Sequence, residues 1–232
     1  MLILRSILFY IILSLITLFF GLIGIPLIFT SKKLLTSLCK VWANTILMLL
    51  KVICNLEIEV KGTENIPPEP LIIASKHESA IETVLLWTLF KNPALIMKKE
   101  VLFVPVFGAY CHVMGMISID RGSRISAMKK IITDATATLK SGRSIIMFPE
   151  GTRIKHGESV SLKSGVKALH TASPDIPVIP VAVNSGKFLP KGCLIIKPGV
   201  LILKILEPMN HDDNSTFLDV LQSKINTPCN NN

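Results

Sequence analysis

From Ile7 to Phe29 the chain carries no charged residue. As a helix that stretch would be about 35 Å long, against a hydrocarbon core of about 30 Å. With 50% hydrophobic residues in 232 and a mean hydropathy of +0.54, the chain is too apolar for an ordinary soluble domain, and this segment is the part that belongs in lipid. Its apolar run exceeds the roughly 7–15 residues of a signal peptide and no small-x-small cleavage site follows, which argues against a cleaved leader. Gly21, Gly24 and Pro26 leave room for a break near its end. Residues 34–54 are also apolar, but Lys40 and Lys51 would each cost about 2.5–3.5 kcal/mol at the bilayer centre, so an interfacial helix is expected there. Residues 1–55 therefore read as an anchor, with 7–29 either spanning the bilayer or entering one leaflet. Lys32, Lys33, Lys40 and Lys51 follow the apolar run and only Arg5 precedes it, so the positive-inside rule puts the remainder in the cytoplasm.

The net charge of +9 suits an anionic membrane surface. Nucleic acid is the competing partner for a basic chain, but no nucleic-acid-binding signature, arginine-rich tract or basic-aromatic interleaving is present, and none is expected to bind. The five cysteines are scattered and lack C-x-x-C pairing, which points to reduced, mostly buried thiols. Beyond residue 55, short apolar runs alternate with helical segments: strands at 56–60, 71–74, 94–97, 116–121, 144–148, 178–183 and 200–206, and helices after 80, around 128–139, 163–171 and 215–226. This pattern predicts an α/β domain over 56–226, a sheet flanked by helices, with a tail at 227–232. Residues 101–114 read as a short apolar segment facing the membrane or a lipid groove.

Within that domain, residues 75–83 turn from strand to helix and offer a base and a carboxylate. On a regular helix residues five apart lie about 140° from each other, so His77 and Glu82 meet only if His77 precedes the helix. Glu82 would then hold the imidazole in one tautomer while the other ring nitrogen takes a proton from a hydroxyl. Glu82 also stands three residues after Ser79, the capping-box spacing, which is the purely structural reading. His170 and Asp175 repeat the five-residue spacing, but Pro174 and Pro177 exclude a following helix, so His170 is read as a helix C-terminal residue. Arg121 and Arg153 each close a strand end, where ligands of open α/β sheets collect; guanidinium suits a phosphate, and Gly151 lets backbone N–H groups approach one. Each arginine has a plainer reading as a surface ion pair, with Asp120 and Glu150 respectively.

Four segments in this order, KHESAIET at 76–83, GMISIDR at 115–121, FPEGTR at 148–153 and VIPVAV at 178–183, resemble the bacterial 1-acylglycerol-3-phosphate acyltransferases within the glycerolipid acyltransferase family. The resemblance runs from about residue 57 to 206 and implies a glycerol-3-phosphate-acyltransferase-like domain on the inner membrane. It implies that His77, oriented by Glu82, deprotonates the free hydroxyl of lysophosphatidate, which attacks an acyl thioester of acyl-CoA or acyl-carrier protein. By the same resemblance Arg121, Gly151, Thr152 and Arg153 hold the acceptor phosphate, Glu150 belongs to their motif, Pro180 shapes the acyl or carrier site, and no metal or cofactor is needed. Glu82 departs from the family's usual Asp, and Lys76 from its usual Asn or Ser. Acylation of another lysolipid or of glycerol 3-phosphate is the alternative within the class. A membrane thioesterase or lipase lacks its G-x-S-x-G elbow here, and a non-catalytic phosphate-binding module is the remaining alternative.

Overall fold

The computed structural model describes residues 1–120, 124–209 and 216–229. Leu2–Thr30 forms α1 and Lys32–Cys54 forms α2, packed together as a hairpin that turns at Ser31, whose Oγ accepts a hydrogen bond from the Leu34 N–H at 3.3 Å. The break allowed for near Pro26 does not occur. Helix α1 runs through Pro26 because Leu27 and Ile28 pack against a cluster containing Leu35, Trp42 and Tyr110, which holds the last turns in place. Gly24 makes that packing possible: a Cβ there would stand 2.1 Å from Tyr110 Oη, which donates to the Gly21 carbonyl at 2.6 Å. Near its other end Ser6 Oγ accepts from the Ile196 N–H at 2.9 Å, and Phe9 enters the main core. The domain thus grips α1 at two points about 22 Å apart along its axis, while Leu15, Leu18, Phe19 and Leu22 remain exposed. Both helices are long and apolar enough to cross a membrane by length and composition.

Seven strands form one sheet in the order β1-β7-β6-β2-β5-β3-β4: β1 (Leu56–Lys61), β2 (Ile72–Ser75), β3 (Ala94–Lys98), β4 (Ile117–Ile119), β5 (Ile145–Met147), β6 (Val178–Val183) and β7 (Gly199–Ile205). Pairing is parallel throughout except between β6 and β7. The connecting helices are α3 (Ile81–Leu89), α4 (Phe107–Val113), α5 (Arg124–Lys140) and α6 (Gly165–Ala172), and α7 (Phe217–Ile225) follows the last strand. The segment 101–114 is a short 3-10 turn leading into α4, and it leaves Phe103, Val104 and Phe107 exposed.

The period of two along each strand divides the core into two layers. Ile73, Ile146, Ile179 and Val181 join Leu50 of α2 and Leu85 and Leu86 of α3 on one face. Ile72, Ala74, Ile145, Met147 and Val178 join Ala135 and Leu139 of α5, Leu169 of α6, and Phe217 and Leu221 of α7 on the other. The chain stays docked as far as Cys229, whose carbonyl accepts from Asn184 Nδ2 at 3.2 Å. The cysteines are unpaired, three of them buried.

Candidate active site

Three adjacent parallel strands, β6, β2 and β5, deliver the candidate residues from their C-terminal ends. The chain leaves β2 at Ser75, and the backbone N–H of Lys76 still donates to the Val181 carbonyl on β6 at 3.0 Å, so His77 is fixed just beyond the sheet edge. Helix α3 starts only at Ile81. His77 therefore precedes the helix, as the spacing required, and its Nδ1 lies 3.3 Å from Glu82 Oε2.

Glu82 is fully buried and densely satisfied. Its Oε1 accepts from the N–H groups of Ser79 (2.8 Å) and Glu78 (3.2 Å) and from the Ser185 hydroxyl, and its Oε2 accepts from Ser79 N–H at 3.1 Å. The helix is counted from Ile81, which makes Ala80 the formal cap, but Ala80 has no capping side chain and Ser79 Oγ accepts from the Ile81 N–H at 3.1 Å in its place. The carboxylate still reaches back to the Ser79 N–H, so half of the capping box survives. The imidazole of His77 stacks on Phe148 with centroids 3.9 Å apart and rings 18° from parallel, and its side chain is 17% exposed. Its Nε2 has no hydrogen-bond partner among the described residues. The result is a ring held on one face by Phe148 and at one nitrogen by Glu82.

The third motif follows β5 and wraps around the same histidine. Glu150 is 3% exposed and its Oε2 accepts from the His77 N–H at 2.7 Å. Burial pushes the Glu150 carboxyl up to about 7; Glu78 and Glu82 add to the rise, and the His77 N–H and Lys76 oppose it. The plainer alternative for these two residues, a surface ion pair, does not fit, since Glu150 turns inward and Arg153 stays on the surface. Gly151 takes φ +72, a left-handed turn that a side chain would strain, and Ile154 N–H donates to the His77 carbonyl at 2.8 Å. Gly151, Thr152 and Arg153 are thus held in a tight loop beside His77. The carbonyl of Arg153 accepts from Lys191 Nζ at 3.0 Å.

Pro180 is buried in β6, in register with Ala74, three residues before His77 on the neighbouring strand. Its missing N–H falls on the β7 side, where regular pairing stops at Ile205 and Leu206 N–H donates to the Pro180 carbonyl at 3.0 Å. Arg121 lies outside the described residues; Asp120 before it is 3.2 Å from Lys99 Nζ. His170 sits in the last turn of α6, buried and stacked on Phe217 in the opposite layer from His77. Several contributors were missed from sequence. Lys76 pairs with buried Glu78 (3.3 Å), His156 Nδ1 lies 3.1 Å from both Glu78 oxygens, and Ser185 reaches Glu82 from 103 residues away. Only Lys76 and Glu78, on either side of His77, stood where a sequence signal could have drawn attention to their pairing.

An apolar helical hairpin on a mixed α/β sheet, with a buried carboxylate beside a histidine at the strand ends, defines the class: a membrane-associated α/β protein with a histidine–carboxylate pair. The sequence model of the acyltransferase family matches residues 57–184, and the chain belongs to that family. A 1-acyl-sn-glycerol-3-phosphate acyltransferase of Pseudomonas aeruginosa is 32% identical over 209 residues, covering 89% of this chain and 80% of that protein. The enzyme of the same name from Saccharomyces cerevisiae is 28% identical over 167 residues; the chain spans only 55% of its length. Among solved structures, the 1-acyl-sn-glycerophosphate (LPA) acyltransferase PlsC of Thermotoga maritima superposes with a TM-score of 0.78 over 97% of this chain and 93% of that one. At 24% identity this likeness speaks for the fold, and the expected fold and family are borne out.

Proposed function

We propose that this acyltransferase moves an acyl chain from a thioester to the sn-2 hydroxyl of lysophosphatidate, giving phosphatidate. The observation that carries the reading is the His77–Glu82 pair at the C-terminal end of β2 in a chain whose relatives bear that enzyme name. With Nδ1 committed to Glu82, Nε2 of His77 removes the proton as the acceptor oxygen attacks the thioester carbonyl. The C–O bond forms, the tetrahedral intermediate collapses, and the C–S bond breaks. The imidazolium returns the proton to the departing thiolate, so neither proton nor charge is left over. Arg153 with the Gly151 and Thr152 backbone would hold the phosphate, and Arg121 would join them. Pro180 would shape the sheet edge under the acyl or carrier site. Acyl-CoA and acyl-carrier protein are both thioester donors of the required chemistry.

The membrane reading extends the same proposal. The grip on α1 at Ser6 and at Gly21 lays that helix along the domain, which favours insertion into one leaflet over a span pointing away from it. The lysines after α1 favour the cytoplasmic face of the inner membrane. The test is phosphatidate formation from lysophosphatidate and an acyl thioester in liposomes, comparing wild type with His77→Ala and His170→Ala. Turnover is expected to fall by about 10²–10⁴ in the first and to persist in the folded fraction of the second. Lysophosphatidylcholine and glycerol 3-phosphate serve as competing acceptors. A wild type that acylates one of them and not lysophosphatidate overturns the acceptor. Free fatty acid as the only product overturns acyl transfer.

A further inference from the structure

Two residues that follow β6 reach both buried carboxylates beside His77. Ser185, fully buried, donates its hydroxyl to Glu82 Oε1, and the N–H of Gly186 donates to Glu78 Oε2 at 2.8 Å. Glu78 is itself fully buried, between Lys76 Nζ and His156 Nδ1. Two histidine–carboxylate pairs therefore stand side by side, His77 with Glu82 and His156 with Glu78, joined through one two-residue turn. The fit at that turn is tight. A Cβ on Gly186 would come within 3.0 Å of Glu78 Cβ and Oε2 and 3.2 Å of His156 Cβ.

The two oxygens of Glu82 do different work. Oε2 faces His77, and Oε1 is held by donors that decide which way the carboxylate plane points. The N–H groups of Glu78 and Ser79 belong to the same turn as the carboxylate and move with it. The Ser185 hydroxyl comes from the neighbouring strand end, which ties the carboxylate to the sheet. A glutamate has one more rotatable bond than the aspartate usual in the resembling family, so its orientation needs this outside anchor more. On the other side, His156 lies in the turn after Arg153, and its bonds to Glu78 pin that turn to the residue next to the base.

We propose that Ser185 and Gly186 form a positioning brace. Ser185 aligns Glu82 and through it His77, and Gly186 with Glu78 holds His156 and the loop carrying Arg153 in register with the base. This rests on His77 being the base of the acyl transfer. Ser185 acts through Glu82 and His156 through Glu78 on the loop carrying Arg153, so the two arms have different kinetic signatures.

The experiment measures kcat and KM separately for the full chain in detergent micelles, with lysophosphatidate and acyl-CoA. Ser185→Ala is expected to lower kcat about 10-fold with the lysophosphatidate KM within about 2-fold, and Ser185→Thr, which keeps the hydroxyl, to recover most of it. In a Glu82→Gln background Ser185→Ala should add no further loss of kcat, because the carboxylate oxygen whose aim at His77 it sets is already gone. His156→Ala is expected to raise the lysophosphatidate KM about 5–10-fold with kcat nearly unchanged, and His156→Asn, whose amide can donate to Glu78 from the Nδ1 position, to restore it. A wild-type kcat in Ser185→Ala, or an undiminished effect on top of Glu82→Gln, overturns the first arm. A His156→Asn as impaired as His156→Ala overturns the second. If Ser185→Ala does not fold, Ser185→Cys carries the same kcat expectation. His77→Ala runs alongside: full turnover there means the base assignment has failed, whereas its loss beside a fully active Ser185→Ala rejects the brace alone.

Discussion

Glu82→Gln separates orientation from packing. The amide keeps the shape of the side chain and can keep its oxygen on the Oε1 side, accepting from Ser79 N–H, Glu78 N–H and the Ser185 hydroxyl. Its NH₂ then occupies the Oε2 position, 3.3 Å from His77 Nδ1. Two N–H groups cannot face each other, so the imidazole must present a lone pair at Nδ1 and carry its proton on Nε2. That nitrogen can then no longer take a proton from a hydroxyl, and kcat should fall by about 10²–10⁴. Stability should change far less. Bonds to a charged acceptor are worth about 1.5–3 kcal/mol and neutral ones about 0.5–1.5; with the lost desolvation cost offsetting part of that difference, a net loss of about 1–2 kcal/mol lowers Tm by about 2–8 °C. Glu82→Ala is the less informative change. It strands three buried donors at about 1–3 kcal/mol each, a large share of the 5–15 kcal/mol that holds a typical domain. The assay is single-substrate kinetics of phosphatidate formation alongside a thermal melt. A folded Glu82→Gln protein with kcat within about 3-fold of wild type would refute the tautomer argument.

Gly108→Ala should destabilise by about 3 kcal/mol or more, because its Cβ would lie 2.0 Å from the Leu102 carbonyl oxygen, a backbone atom that no rotamer change can move; an unchanged melting temperature contradicts this. Glu150→Gln should make stability less dependent on pH. The wild-type carboxyl titrates near 7 in the fold against 4.5 ordinarily, so the unfolded chain releases its proton first and wild-type stability falls as pH rises from about 4.5 to 7, by up to about 3 kcal/mol, then levels off. Urea unfolding at pH 5 and pH 8 reads the difference, and equal pH slopes for the two proteins would reject the burial argument. Arg153→Lys should raise KM for the acceptor more than for the donor, since a point charge replaces a planar fork; an equal rise for both substrates counts against a phosphate role.

The strands of the sheet were legible because each is a short, largely apolar run bounded by turn-forming or charged residues, and the continuous apolar runs of β2, β5 and β6 mark both of their faces for burial. The strand order was not legible. That β1 pairs in parallel with β7, and that β7 alone runs against its neighbour β6, depends on long connections whose course leaves no local trace. The site divides in the same way. His77 and Glu82 could be paired from spacing because a strand-to-helix turn lies between them, and His170 with Asp175 could be set aside because Pro174 and Pro177 deny the same turn. Ser185 and His156 had no such signal, since a single hydroxyl or imidazole becomes meaningful only when the sheet brings it across 103 or 78 residues.

The capping and orienting readings of Glu82 compete in the sequence but not in the fold. A carboxylate has two oxygens with several lone-pair sites between them. Glu82 uses one oxygen mainly on backbone N–H groups ahead of α3 and turns the other toward His77. Capping is what makes the orientation rigid: the helix fixes the Glu82 backbone, the turn fixes Oε1, and the remaining freedom is a rotation that the Ser185 hydroxyl restrains. The helix start and His77 are one structural unit, so a change that frays the first turn of α3 should misalign His77 without touching it.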